Sequence, residues 1–131
     1  MLDEAVINWD QGVFKFEDLD VQGTDTLESA GFYALLAARP DRRARKWVDL
    51  KLLYIGKAYN QTIRKRLPQD HIAFDCMREF LEDEDNQEMD LVVMVGTLVS
   101  STLERITKQL FDDIEACLIF RNQPLCNVAP Q

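Results

Sequence analysis

Two tyrosines beside glycines, each in a short apolar segment, are the first candidates for chemistry. Tyr33 follows Gly31-Phe32, and Tyr54 precedes Ile55-Gly56. If the two segments are neighbouring strands, the hydroxyls could hydrogen-bond, and one could act as a general base toward water. A free tyrosine has a pKa of about 10, so this role needs adjacent positive charge or metal-bound water. The alternative is that both are core tyrosines.

Positive charge is concentrated around the second tyrosine. The chain has 131 residues and a formal net charge of -8. Residues 39–66 contain ten Lys or Arg and two Asp, a local charge of +8 (ten minus two), which leaves -16 for the remainder. Because the local field decides where an anion binds, this segment favours a phosphate-binding surface, with solvated loop and helix faces as the alternative. The candidate nucleic-acid contacts are Arg42, Arg43, Arg45, Lys46, Arg64 and Lys65.

Length and composition limit the class of protein. One domain is expected, with residues 1–30 as an N-terminal arm or extra strand and residues 31–131 as the main unit. No apolar run reaches about 18 residues, so no membrane span is expected. The N-terminus is acidic and lacks the pattern of a signal peptide. The odd number of cysteines and the absence of CxxC spacing predict reduced thiols in a cytoplasmic protein; they are Cys76, Cys117 and Cys126.

Hydrophobic patterning predicts alternating strands and helices. Apolar and β-branched runs indicate strands at 31–38, 47–55 and 91–99, and three- and four-residue spacings indicate helices at 61–67, 72–84 and 101–120. The first two strands, joined by the polar loop 39–46, should form an antiparallel hairpin. The last helix should begin at a capping box, Ser101-Thr102-Leu103-Glu104. The fold class is therefore α+β, with a small, mostly antiparallel three-stranded sheet flanked by helices.

The order of these segments resembles the GIY-YIG nuclease domain. Its parts are Gly31-Phe32-Tyr33, Tyr54-Ile55-Gly56, a basic helix, a late helix bearing Glu115, and then Pro124 with Asn127. The resemblance covers residues 31–127, and Lys57-Ala58 after the glycine is similar to the nuclease domain of bacterial nucleotide excision repair. It implies a GIY-YIG endonuclease-like fold and hydrolysis of a nucleic-acid phosphodiester with one divalent ion. DNA is the expected substrate and RNA the alternative.

The resemblance also implies catalytic roles, which fall on Tyr33, Tyr54, Lys57, Arg66, His71 and Asn127. An arginine on the basic helix would stabilise charge on the phosphoryl oxygens. The family's Leu-x-x-Arg pattern fits Ile63 and Arg66, whereas an ungapped count from Gly56 favours Arg64. His71 follows Arg66 by five residues instead of the family's four, so it either assists proton transfer or is an ordinary surface histidine.

Glu115 is the candidate metal ligand. It lies in the apolar sequence 114–119, where an unpaired buried carboxylate would be costly. One Mg²⁺ or Mn²⁺ ion would compensate it, with water and phosphate as further ligands. The alternatives are a helix-surface charge or a partner for Arg66, while Asp112 and Asp113 are expected to be solvated. Asn127 matches the family's late Pro-x-x-Asn and could orient a tyrosine or Glu115, or simply belong to a terminal turn.

Two functions are therefore open. The first is a divalent-metal-dependent endonuclease acting on nucleic acid, with a homodimer as a possible form because cutting both strands needs two active sites. The second is a catalytically inactive module of the same fold that binds nucleic acid or a protein partner. The acidic net charge favours the second function.

Overall fold

The computed structural model describes residues 4–69, 71–101 and 105–127. In this part of the chain, no helix is both long and apolar enough to cross a membrane. The elements, in chain order, are β1 (Ala5–Trp9), β2 (Phe14–Lys15), β3 (Gly31–Asp41), β4 (Lys46–Ala58), α1 (Ile63–Arg66), α2 (His71–Glu82), β5 (Asp90–Ser101) and α3 (Lys108–Asn122). Short 3-10 turns lie at Phe16–Asp18, Asp25–Glu28, Leu67–Gln69 and Glu84–Asn86.

The strands form one antiparallel sheet in the order β1-β5-β3-β4, and β2 also pairs with β5. The predicted α+β class with a mostly antiparallel sheet is confirmed. The prediction of three strands is wrong, because residues 5–15 add two short strands to β5. These strands are only partly buried, so they lack the apolar runs that mark β3, β4 and β5 in the sequence.

The central strand β3 is buried on both faces of the sheet from Gly31 to Ala38. Alternate side chains of a strand point to opposite faces, so β3 contributes to two hydrophobic clusters. On one side, here called the α1–α2 face, Tyr33 and Leu35 pack with residues of α1 and α2. On the other, here called the α3 face, Ala34 and Leu36 pack with residues of α3 and β1.

The β3–β4 hairpin is longer than the sequence predicts. The turn occupies residues 42–45, and β3 and β4 stay paired as far as Asp41 and Lys46, so most of the predicted loop 39–46 is strand or tight turn. The Asp41 carboxylate closes the turn by accepting the backbone N–H groups of Arg43 and Ala44 at 3.1 and 3.2 Å. Since β5 pairs with β3 only as far as Ala38, residues 39–48 form a two-stranded ribbon beyond the sheet.

Helix α3 begins later than the predicted capping box. Ser101 is the last residue of β5, and the Thr107 hydroxyl caps α3 by accepting the Leu110 N–H at 3.1 Å. The prediction of Ser101 as the N-cap is therefore wrong, and Thr102, Leu103 and Glu104 lie outside the described residues.

A disulfide joins Cys76 of α2 to Cys126, with their Cα atoms 5.7 Å apart, while Cys117 is an exposed thiol. The prediction that all three cysteines are reduced is wrong for this pair, because the fold brings together two positions 50 residues apart. Next to the bridge, the backbone N–H groups of Leu125 and Cys126 donate to Leu52 and Leu53. The disulfide thus ties α2 to a segment that covers the outer edge of β4.

We expect replacement of both bridged cysteines by serine (C76S/C126S) to lower the free energy of unfolding. Removing a cross-link between residues 50 apart restores chain entropy to the unfolded state, which corresponds to about 4 kcal/mol. Urea unfolding without reductant measures the loss, and a dithiol added to the wild-type chain should reproduce it. The matched control is Cys117→Ser, which changes only an exposed thiol. Equal stability of the double variant and the wild type would show that the bridge does not constrain the chain.

Candidate functional site

Several predicted site residues meet at the stretch Tyr54–Lys57 of β4. In the strand register Tyr33 lies opposite Gly56. Glu115 of α3 contacts Lys57, and Asn127 contacts the backbone of Ile55. Side chains that are far apart in the sequence therefore come together on four consecutive residues of the outer strand.

The two tyrosines form a pair on the α1–α2 face. Their ring centroids are 6.4 Å apart and the ring planes are tilted by 34°. Tyr33 is fully buried, whereas Tyr54 is only partly buried and packs against the same cluster. Of the two hydroxyl-bearing side chains, Tyr54 is the one that remains accessible to a solvent-borne group.

Gly56 makes room for this pair. A Cβ atom at position 56 would lie 2.4 Å from both Cζ and Oη of Tyr33, which is closer than nonbonded atoms approach. The backbone of Gly56 has no positive φ, so the requirement for glycine is one of space and not of conformation. The Tyr33 ring lies against the strand because position 56 has no side chain.

Lys57 and Glu115 form an ionic cluster with Asp112 on the α3 face. The Lys57 ammonium donates to Glu115 Oε1 and to Asp112 Oδ1, both at 3.0 Å, and Lys108 donates to Asp112 Oδ2 at 3.1 Å. Burial lowers the pKa of Lys57, but the hydrogen bonds to the two carboxylates raise it by more. The hydrogen bonds from Lys57 and Lys108 lower the pKa of Asp112. The four charges of this cluster balance without a further ion.

Asp112 is the site residue that sequence analysis missed. It was expected to be solvated, yet it binds the same ammonium group as Glu115. The available signal was the spacing, because positions three apart on a helix share a face. Asp113, on the next position, is exposed as expected and accepts a hydrogen bond from Gln109 at 2.8 Å.

The predicted catalytic set is therefore divided between the two faces of the sheet. Tyr33 and Tyr54 lie on the α1–α2 face, and Lys57 and Glu115 lie on the α3 face. The Lys57 ammonium is committed to carboxylates and does not supply the positive charge that was expected beside the tyrosines. The two halves lie on opposite faces of the sheet, and Tyr54 and Lys57 meet those faces from β4, one of its edge strands.

Asn127 binds the edge of β4 between the two halves. Its Oδ1 accepts the Ile55 N–H at 2.7 Å, and its Nδ2 donates to the Ile55 carbonyl at 2.9 Å. These two bonds replace the pairing that a further strand would provide at the outer edge. Asn127 thus holds the backbone between Tyr54 and Gly56, and both of these hydrogen bonds of its side-chain amide are made with that backbone.

The basic helix α1 carries two arginines, Arg64 and Arg66, whose surroundings differ. The Arg64 guanidinium pairs with Glu28 and donates to the carbonyls of Leu19 and Gln22, so it holds the N-terminal segment in place. A phosphate would have to compete with these three partners for Arg64. Arg66, the last residue of α1, is partly buried, and Lys65 is exposed. His71 is the first residue of α2, and its side chain lies outside the described part of the structure.

The donor chemistry at Glu115 suits a hard divalent cation. Carboxylates are the ligands that Mg²⁺ and Mn²⁺ prefer, and Asp112 offers a second one a helical turn away. Across the described ranges, no group of three or more His, Cys, Asp and Glu side chains is placed to bind one ion. Glu115 and Asp112 would hold the ion, and Lys57 would have to release at least one of them.

No family model, curated protein or solved structure matches the chain. The resemblance to the GIY-YIG nuclease domain rests on the ordered motifs of the sequence, and it stays a prediction. The arrangement around Tyr54–Lys57 is the structural observation with which a function can be argued.

We expect Gly56→Ala to destabilise the fold, because the added methyl would overlap the buried ring of Tyr33. Overpacking of this kind costs about 1–3 kcal/mol, and chemical denaturation measures it. The matched control is Gly23→Ala, since a Cβ there meets no atom within 4 Å and the residue has no positive φ. Equal effects of the two substitutions would contradict the described packing of Tyr33.

We expect Lys57→Met to remove a pH-dependent contribution to stability. The raised pKa of Lys57 means that its contribution is present at neutral pH and is lost as the pH rises above about 10.4, the ordinary lysine value. The lowered pKa of Asp112 means that its contribution is lost as the pH falls below about 4. The difference in unfolding free energy between wild type and variant should thus be constant between these limits and shrink at both ends.

Urea unfolding over a pH series measures this difference. The control is Lys65→Met, which changes an exposed lysine of α1 and should give no such profile. A difference that stays constant into alkaline pH for Lys57→Met would show that the ammonium does not stabilise the cluster.

Proposed function

We propose that the chain is a divalent-metal-dependent endonuclease of GIY-YIG type that hydrolyses phosphodiester bonds of DNA at the end of β4. The observation that carries the proposal is the convergence on Tyr54–Lys57 of a second tyrosine, a carboxylate and an amide from distant parts of the chain. Chance pairing of core residues would not be expected to join these side-chain types at one strand end.

Each side chain has a role that its surroundings support. Tyr54, the accessible tyrosine, would accept a proton from the attacking water, and the buried Tyr33 would hold its position. Arg66 at the end of α1 would stabilise charge on the phosphoryl oxygens. Asn127 fixes the intervening backbone. A metal ion at Glu115 would polarise a phosphoryl oxygen and lower the pKa of bound water.

The division into two faces limits where the substrate can lie. Residues 125–127 cover the edge of β4 as far as Ile55, so a phosphodiester could reach both faces only beyond that point, at the end of β4 around Lys57. Lys57 would orient Glu115 before the substrate arrives, because its ammonium binds that carboxylate directly. Cleavage of both strands of a duplex would need two such sites, and hence two copies of the chain.

A second function, binding of nucleic acid without hydrolysis, is favoured by two observations. Lys57 already neutralises both carboxylates that would bind the metal ion. Tyr33 is fully buried, so its hydroxyl lies away from solvent-borne substrate. In this function the basic ribbon, residues 39–48, would bind nucleic acid, and the stretch Tyr54–Lys57 would have only a structural role.

Cleavage assays on supercoiled plasmid, branched DNA and RNA with Mg²⁺ or Mn²⁺ test the endonuclease. We expect Glu115→Gln and Tyr54→Phe each to slow cleavage by about 10²-fold or more, since each removes a group that acts in the transition state. The control is Asp113→Asn, which changes an exposed carboxylate on the same helix and should leave the rate unchanged. Failure of the wild type to cut any substrate would overturn the proposal in favour of the binding module. Full activity of Glu115→Gln would overturn the role of Glu115 as the metal ligand.

A further inference from the structure

The tip of the ribbon carries a cluster of uncompensated positive charge. Its four cations are all exposed; they are Arg42, Arg43, Arg45 and Lys46. Among the residues that the structure describes, these four have no ion-pair partner. Asp41 at the start of the turn uses its carboxylate to accept backbone N–H groups.

Several other cations of the basic segment 39–66 are already committed. Arg39 pairs with Asp49 at 2.6 Å, Lys57 pairs with the carboxylates of α3, and Arg64 pairs with Glu28. Four exposed cations of the segment therefore lie together at residues 42–46, whereas Lys51 and Lys65 are exposed singly elsewhere in it. The net charge of the whole chain is -8, so the rest of the surface repels a polyanion and leaves the ribbon as the preferred point of contact.

We propose that the ribbon is a docking element for double-helical DNA that is separate from the hydrolytic site and enters the major groove. An antiparallel two-stranded ribbon fits the major groove of B-form DNA, which is about 12 Å wide. The major groove of A-form RNA is deep and too narrow for side chains to read, so the shape of the element favours DNA. The ribbon projects past the last β5 pairing at Ala38, and its tip at residues 42–46 is exposed, so the tip can enter a groove.

The course of β4 sets the distance between the tip of the ribbon and Tyr54. Lys46 and Tyr54 lie on the same strand and pair with Asp41 and Leu35 of β3, which are six residues apart because β4 bulges between them. The separation is therefore about 20 Å at about 3.3 Å per residue. A duplex rises by about 3.4 Å per base pair, so this separation equals about six base pairs. This part of the inference rests on the proposed function, because it places the cleavage position at Tyr54.

Binding is tested by fluorescence anisotropy of a labelled DNA duplex with the full chain in the absence of divalent metal. The ribbon variant R42Q/R43Q/K46Q is compared with R78Q/R105Q/R121Q, which removes three exposed cations elsewhere and changes the net charge equally. We expect the ribbon variant to lose affinity about tenfold or more and to lower the salt slope of log K by about 2.7, or 0.9 for each lost phosphate contact. The control variant should keep nearly the affinity and the salt slope of the wild type.

Two results would overturn the docking proposal. Equal loss in the two triple variants would show that only total charge matters, and equal affinity of the wild type for duplex RNA would remove the argument from groove shape. The variant R42K/R43K keeps the charge and should retain binding. Retained binding in R42K/R43K, with loss in R42Q/R43Q/K46Q, would assign the loss to missing phosphate contacts and not to misfolding caused by replacing the arginines.

Cleavage of duplexes with arms of increasing length separates this inference from the proposed function. We expect the wild-type rate to fall for arms shorter than about six base pairs, and the ribbon variant to lack this dependence. Cleavage without length dependence would overturn the spacing and leave the hydrolytic proposal standing. Ribbon-dependent binding without any cleavage would overturn the hydrolytic proposal and leave the docking surface standing.

Discussion

The Tyr33 ring lies against the backbone of Gly56, and the end of β4 depends on this contact. The approach is possible only because position 56 has no side chain. It joins the most buried strand, β3, to the outermost strand, β4, and so connects the hydrophobic core to the edge where the candidate chemistry lies. Asn127 then secures the outer side of the same stretch through the Ile55 backbone, and the bridge from Cys76 to Cys126 holds the segment that brings Asn127 there. Packing from within and hydrogen bonding from outside thus fix the strand end in one position.

Charged side chains are arranged differently at the end of β4 and at the tip of the ribbon. At the end of β4, the partly buried cation Lys57 is matched by the carboxylates of Asp112 and Glu115. Partly buried charges need such partners, since their desolvation would otherwise be unfavourable. At the tip of the ribbon, the cations of residues 42–46 are exposed and can stay without ion-pair partners. A polyanion would therefore meet the ribbon first, while the strand end would offer a few groups held in defined positions.

The sequence allowed prediction of the features that depend on local patterns. The apolar runs around Tyr33 and Tyr54 correctly indicated neighbouring antiparallel strands, and with them the close approach of the two rings. Other features depend on which faces meet in three dimensions, and a single sequence contains no signal for them. The pairing of Cys76 with Cys126 and the choice of Lys57 as the partner of Glu115 are of this kind. Residues 1–30 were expected to form an arm or an extra strand, and the structure has two strands there. Strands of a few residues bury too little for the sequence to indicate their number.

We propose that one catalytic metal ion binds at Glu115, beside the end of β4. The most direct measurement is anomalous scattering from a crystal soaked with Mn²⁺, which locates the ion without requiring turnover. We expect a single strong peak beside the Glu115 carboxylate, with Asp112 within coordinating distance and the Lys57 ammonium moved away from at least one carboxylate. A map with no peak at Glu115 under saturating Mn²⁺, and with the Lys57 contacts to both carboxylates intact, would contradict the claim.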